Sequence, residues 1–559
     1  MSDDVAVVGL GCRLPGADDP RTLWRRLLDG VDSIRRYDEA ELRAAGWPED
    51  RLAGLLADPA YVPVAGLPDD PAGFDAAFFG IGGQEAALVD PQQRWFLEAA
   101  WSALEDAGID PARQAGPIGV FAGAGPNRYA VRNLLGNPAA GPAGDPDDAA
   151  GLLGPTLSPD YLPTRVSYRL GLSGPSVAVQ TACSSSLVAV CLAVQALQDF
   201  RCDVAVAGGA SLAAAGPSPV TGYRHRPGLT APDGLARPYD AGAAGSVPGS
   251  GAAAVVLKRL DDALADGDPV YAVVLGWGIA NDGADRAGFD APAVAGQAAA
   301  AREALAAAGL DTVGYVEGHG GATPVGDAIE VTALRRAYRS GPALLGSGKA
   351  ALGNLDAASG VVGLLSAVLA VRHGSVPPTL NVQVPHPDLD LGAGPFTLAT
   401  KAAPWPVAGP RRAAVHSVGQ GGTSAHLIVG EPPSVHSGPA VEGPVELLLS
   451  ARTPSALAAV AARLADHLEA EPATSLAGVA WTLATGRRAW PHRRTVVAAD
   501  LAGAVRGLRT GGAAGSTVDP SAVDRSAVDG PRPARKVPLP AYPFERREHW
   551  IAPASGGRG

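Results

Sequence analysis

Residues 176–200, SVAVQTACSSSLVAVCLAVQALQDF, pass from alternating apolar residues into a long run of small apolar side chains. The alternation predicts a strand, and the run predicts a helix apolar on every face, so a strand feeds directly into a buried helix. Around it, QQRWFLEAAWSALEDAGID from Gln92 has apolar residues at three- and four-residue spacing and predicts an amphipathic helix. IGVFAGAG, CDVAVAGGAS, AAAVVLKRL and YAVVLGWG predict strands; QAAAAREALAAAGL predicts a helix leading to the strand VGYVEG. A strand–helix–strand series around Cys183, then helix, strand and glycine-rich loop around His319, fit two similar α/β halves.

With 559 residues the chain exceeds one core, and two or three structural units are expected. The 72 glycines and 50 prolines, with few charges, suit a large α/β enzyme with elaborate loops. A net charge of −11 argues against nucleic acid as a partner. The amino terminus has two acids where a signal peptide needs positive charge, and the longest apolar run, VVGLLSAVLAV at 361–371, is about half a membrane span. A cytoplasmic chain with no membrane contact is expected. Cys12, Cys183, Cys191 and Cys202 form no C-x-x-C, and no histidine pair has metal-ligand spacing, so no metal site and reduced thiols are expected.

Near residue 430 the texture changes to a linker, GEPPSVHSGPAVEGP, followed over 431–510 by a small α/β module with two good helices. Residues 511–535, with the echo VDPSAVDRSAVDG, read as a flexible linker, and 536–559, opening KVPLPAYPFERREHW, as an extended segment that packs back on the body.

The sharpest chemical signal is TACSSSL. Cys183 sits where a strand meets a helix, so its sulfur should face the positive end of the helix dipole, which favours thiolate and lowers the thiol pKa. The second is YVEGHGGATPVGDAIE: His319 follows a strand end in a glycine-rich loop, where a base role is plausible. Asp327 and Glu330 fall at a helix start, where acids cap, and one of them could neutralise a buried lysine. Two lookalikes fail. Gly9-x-Gly11 lacks the third glycine of a dinucleotide fingerprint, and G-S-G-K at 346–349 has Ala343 and Ala350 where a phosphate loop needs Gly and Ser or Thr.

DPQQRWFLEAAWSALEDAGID, GPSVAVQTACSSSLVAV, YVEGHG…GDAIE and GQGGTSAHL together resemble, in order and spacing, the β-ketoacyl synthase (ketosynthase) domains of modular polyketide synthases, over residues 1–430. The module after them resembles the linker that follows such domains, and the tail resembles the segment after an acyltransferase. With neither an acyltransferase nor a carrier-protein motif evident, the chain looks like a free-standing ketosynthase. The resemblance implies the thiolase fold in two similar layered α/β/α/β/α halves, a homodimer, and no cofactor bound by the chain. It implies an acyl group moved from the phosphopantetheine of a separate acyl carrier protein onto Cys183. The backbone N–H groups of Cys183 and Gln420 would form the oxyanion hole. His319 carries over as the first catalytic histidine, and Lys349 as the lysine of the third motif, paired with the acid matching Glu330, beside Asp327.

The family's second histidine falls at Asn354, which donates a hydrogen bond but exchanges no proton near neutral pH. Other departures surround the same cavity. H-G-T-G-T is His319-Gly320-Gly321-Ala322-Thr323, the gate phenylalanine is Gln420, and an earlier phenylalanine is Val418. G-G-T-N ends in Ser424, G-F-V-R-G-E-G becomes Gly245-Ser246-Val247-Pro248-Gly249-Ser250-Gly251, and the Asp before T-A-C is Gln180. Gly321, Thr323, Val418, Gln420, Ser424 and Ser246 are therefore expected around substrate and pantetheine, in a more polar pocket. Three readings follow. The leading one is an acyl-loading enzyme that closes its chain without decarboxylation, similar to the ketosynthases of γ-lactam-β-lactone (salinosporamide-type) antibiotic biosynthesis. The others are decarboxylative elongation with Cys-His-Asn, and a non-elongating acyl-transfer or carrier-docking scaffold.

Overall fold

The computed structural model describes residues 4–144, 154, 158–434, 443–510 and 535–554. Its centre is an eleven-stranded sheet in two halves. In the first, the spatial order is Ser176–Ala178, Ile118–Ala124, Val204–Ser211, Gly251–Arg259, Val5–Arg13. In the second it is Ala343–Gly346, Tyr315–Glu317, Arg412–Val418, Thr423–Gly430, Ala272–Asn281, with Phe396–Leu398 added beside Ala343–Gly346. Both halves share one order along the chain and one pairing scheme: two parallel pairs, then two antiparallel. Val5–Val7 pairs antiparallel with Ala272–Val274 and joins them.

The repeat expected from sequence is therefore present, in a different register. The counterpart of the helix after Cys183, Ser185–Gln198, is Ser359–His373 and not an element at His319. Both follow the third strand of their half. They pack on one another and on strands of both halves, forming a middle layer. This explains why neither has a polar face. Among the described residues Asp356–His373 is the one stretch long and apolar enough to cross a membrane, and in the fold it is mostly buried, against strands of both halves of the sheet.

The outer layers repeat as well. Helix Pro91–Asp106 lies on Val5–Arg13, and helix Val294–Ala308 lies on Ala272–Asn281. Each approach is so close that a Cβ at Gly9 or Gly11 would stand 2.2 Å from a helix carbonyl, and one at Gly276 or Gly278 within 2.4 Å. Gly9-x-Gly11 is thus a packing device that recurs as Gly276-x-Gly278.

Helix Pro91–Asp106 starts at Asp90, whose carboxylate accepts from Gln92 N–H at 2.9 Å, with proline at the first turn. Its sequence is amphipathic, yet nearly all of it is buried. The polar face is covered by the carboxy-terminal segments. Arg546 bonds Glu98 at 3.0 Å, Tyr542 N–H bonds Glu105 at 2.6 Å, and the His549 carbonyl accepts from Arg94. Residues 445–509 form a separate cluster, an antiparallel pair, Val445–Ala451 with His492–Ala498, carrying helices Pro454–Ala470, Leu476–Thr485 and Leu501–Arg509. The flexible linker expected at 511–535 lies outside the described residues except for Arg535, as do 435–442 of the earlier linker.

Candidate active site

The turn that carries Cys183 is fastened by the serines that follow it. Ser184, Ser185 and Ser186 are fully buried. Ser184 Oγ donates to the carbonyls of Thr181 and Thr423, Ser185 Oγ accepts from Thr181 N–H, and Ser186 Oγ accepts from Val361 N–H, at 2.8–3.0 Å. The polar run is structural: it ties Cys183 to the 412–430 hairpin and to the second middle helix. Ser417 Oγ adds a bond to the Cys183 carbonyl at 3.0 Å. Ala182 is held at φ +54°, a left-handed conformation that turns the chain at Cys183, between strand Ser176–Ala178 and helix Ser185–Gln198.

The Cys183 thiol differs from the sequence expectation. Burial and the neighbouring Asp356 carboxylate push its pKa up to about 12, against the pull of Lys349. The resting group is a thiol, and its Sγ donates to Asp356 Oδ1 at 3.4 Å. Asp356 was not legible as a site residue. It is one acid in GNLDAASG, brought to the sulfur because the backbone turns there at φ +45°.

His319 follows strand Tyr315–Glu317. Its Nδ1 accepts from Val418 N–H at 3.2 Å and faces Lys349 Nζ at 3.3 Å. The neutral ring therefore carries its proton on Nε2. Burial first, then the Lys349 charge, hold its pKa well below 6.5. This makes His319 a donor rather than the base expected from its loop. Because the neutral form persists as pH falls, turnover of a preformed acyl-enzyme should show no acid limb near pH 6.5. Single-turnover rates across pH check this, and a loss centred near about 6.5 would show an ordinary imidazole.

Lys349 also departs from expectation. Among the described residues it makes no ion pair with Glu330; its Nζ bonds the His319 carbonyl. Glu330 instead accepts from His319 N–H at 2.5 Å and Gly320 N–H at 2.8 Å, and from Tyr239 OH at 3.3 Å. Asp327 accepts from Tyr239 N–H at 2.7 Å and is not the helix cap, a place taken by Thr323. Burial lifts the Asp327 pKa to about 7. A third acid, Glu317, visible in YVEGHG but not singled out, holds Gly348 N–H at 2.7 Å and so sets the turn before Lys349. Lys349 and Glu317 line a cavity of about 20 Å³ together with Ser366 and His416.

Asn354 is clamped at both backbone groups: its N–H bonds Val247 O at 2.7 Å and its carbonyl accepts from Gly249 N–H at 2.8 Å. Its Oδ1 accepts from Asp356 N–H at 3.1 Å and Ser359 Oγ at 3.0 Å. The amide is thereby oriented, with Nδ2–H left to donate.

A cavity of about 310 Å³ is lined by Ala182, Asp356, Gln180 and Gln420, with Gln93 and Asn127. In the amide orientation that satisfies both of its groups, Gln180 bonds the Ala124 backbone at 3.0 and 3.1 Å. Among the described residues the N–H groups of Cys183 and Gln420 donate to no backbone carbonyl, which leaves them available to an oxyanion. Not every expected pocket residue is there. Ser424 is fully buried opposite Val418 in the hairpin, and Ser246 is 8 % exposed and pairs with Thr230; neither lines this cavity. Thr323 and Gly321 stay in the His319 loop and line neither cavity, and Val418 acts through its N–H.

Known proteins match the chain along most of its length. The family model "Beta-ketoacyl synthase, N-terminal domain" matches residues 2–263, and "Beta-ketoacyl synthase, C-terminal domain" matches 271–383. "CurL-like, PKS C-terminal" matches 446–508. The chain is 44% identical over 517 residues to a component of the phenolphthiocerol/phthiocerol polyketide synthase of Mycobacterium tuberculosis, covering 88% of this chain and 34% of that protein. It is 40% identical over 554 residues to erythronolide synthase EryA3 of Saccharopolyspora erythraea, covering 96% and 16%. The chain thus spans about a third or less of these relatives. Ketosynthase twelve from the bacillaene polyketide synthase of Bacillus amyloliquefaciens superposes with a TM-score of 0.84 at 34% identity, over 98% of this chain and 99% of that one. An oxazolomycin ketosynthase domain from Streptomyces albus JA3453 does so with 0.84 at 33%, over 98% and 99%. The chain belongs to the β-ketoacyl synthase family, the ketosynthases of polyketide synthases, and has their thiolase fold.

Proposed function

We propose that this ketosynthase takes an acyl chain from the phosphopantetheine of an acyl carrier protein onto Cys183 and closes that chain on itself without decarboxylation. The observation carrying this reading is the setting of Asn354, where a rigidly oriented carboxamide stands in the histidine position and offers only N–H donors. Solvent takes the α-proton, and His319 Nε2–H and Asn354 Nδ2–H hold the oxygen of the enolate so formed during an aldol-type closure. The alkoxide so formed attacks the Cys183 thioester. Its carbonyl oxygen is received by the N–H groups of Cys183 and Gln420, and collapse releases a lactone and the free thiolate. Lys349 and Glu330 hold His319 in place, and Asp327 fixes the adjoining Tyr239 backbone. By resemblance, the carrier protein acts in trans, the working unit is a homodimer, and the compartment is the cytoplasm.

A second reading, decarboxylative elongation by Cys183, His319 and Asn354, is favoured by the 40–44% identity to polyketide synthase components. Acylated carrier protein should give an intact-mass adduct that is absent in Cys183→Ala. An unmodified wild type would leave only a carrier-docking scaffold. The product should keep the carbon count of the loaded chain, whereas a carrier-bound product two carbons longer establishes elongation.

A further inference from the structure

Loading Cys183 needs a group to take its proton, because the thiol is protonated at rest. Among the described residues the hydrogen-bond partner of Sγ is Asp356 Oδ1, at 3.4 Å. His319 is unsuited, since its Nδ1 is turned to Val418 N–H and Lys349 and its Nε2 bears the proton. Asp356 is placed with some strain: its φ of +45° lies in a region sparsely populated by residues with a side chain. The Asn354 amide holds its N–H there. Asp356 lines the 310 Å³ cavity beside Gln180, Gln420 and Ala182, the residue that precedes Cys183.

We propose that the Asp356 carboxylate is the general base for loading of Cys183. As Sγ attacks the thioester carbonyl, the S–H proton passes to Oδ1 and the Sγ–C bond forms. The carbon–sulfur bond to pantetheine then breaks, and the departing sulfur takes the proton back from Asp356. The step ends with acyl-Cys183, a free pantetheine thiol and Asp356 again ionised. Arg128 and Lys349 are the cationic groups facing the pair, and each steadies the negative charge as it moves.

The inference rests on the loading of Cys183 proposed above. The test compares wild type with the near-isosteric Asp356→Asn, using an acyl-pantetheine thioester and, separately, iodoacetamide, both followed by intact mass. Acylation should fall about 100-fold or more. Alkylation should hold or quicken, because the carboxylate that disfavours thiolate is gone. Loading of the variant within a few-fold of wild type would overturn the base role and leave the loading reading intact. A parallel fall in both reactions would assign Asp356 to holding the turn, also overturning it. A wild type that takes no acyl group sinks both readings.

Discussion

His319→Ala is expected to slow turnover of the acyl-enzyme by about 10²–10³-fold while Cys183 still loads, the effect of removing one preorganised donor from a developing oxyanion. The split follows from the hydrogen bonds. Nδ1 is occupied by Val418 N–H and Lys349, so the ring contributes Nε2–H to an oxygen. Sγ is bonded elsewhere, to Asp356. Loading and turnover thus depend on different side chains. The measurement is the lifetime of the adduct by intact mass after excess acyl carrier protein is removed. Loss of loading in step with turnover would return the base role to His319.

Asn354→His should produce the other large change: carbon dioxide release from malonyl carrier protein about 100-fold or more above wild type, the scale of an added oxyanion donor. The backbone clamp by Val247 and Gly249 does not involve the side chain, so histidine inherits the position. Its Nδ1 has one lone pair and can keep one of the two donors that Oδ1 holds, Asp356 N–H or Ser359 Oγ, leaving Nε2–H to donate further out than the shorter amide reaches. Radiometric trapping of carbon dioxide reads the gain. A variant that folds and loads but releases no more than wild type would show that the blocked chemistry lies elsewhere in the cavity.

Cys183 and the His319 loop stood out in the sequence because each follows an apolar strand, whereas Lys349 and Asn354 came into view through the family resemblance. The sequence carried the duplication only loosely. The matching halves are defined by strand pairing across long separations, and that set Ser359–His373, not the His319 segment, as the partner of the Cys183 helix. Charge environments were not legible. A helix dipole acting on Cys183 could be inferred from order along the chain, but the carboxylate that outweighs it arrives from 173 residues away through a left-handed turn. The same is true of Glu330, whose partners are two backbone N–H groups and the Tyr239 hydroxyl and not the lysine. Ser246 and Ser424 occupy motif positions yet face inward, since side-chain direction within a hairpin or bridge depends on register.

The central claim, that Cys183 chemistry here proceeds without decarboxylation, is tested most directly by giving acyl-loaded wild-type enzyme a carrier protein bearing carboxyl-labelled malonyl groups. The account predicts label retained on the carrier while the bound acyl chain leaves at its original carbon count. Labelled carbon dioxide released in step with turnover would contradict it.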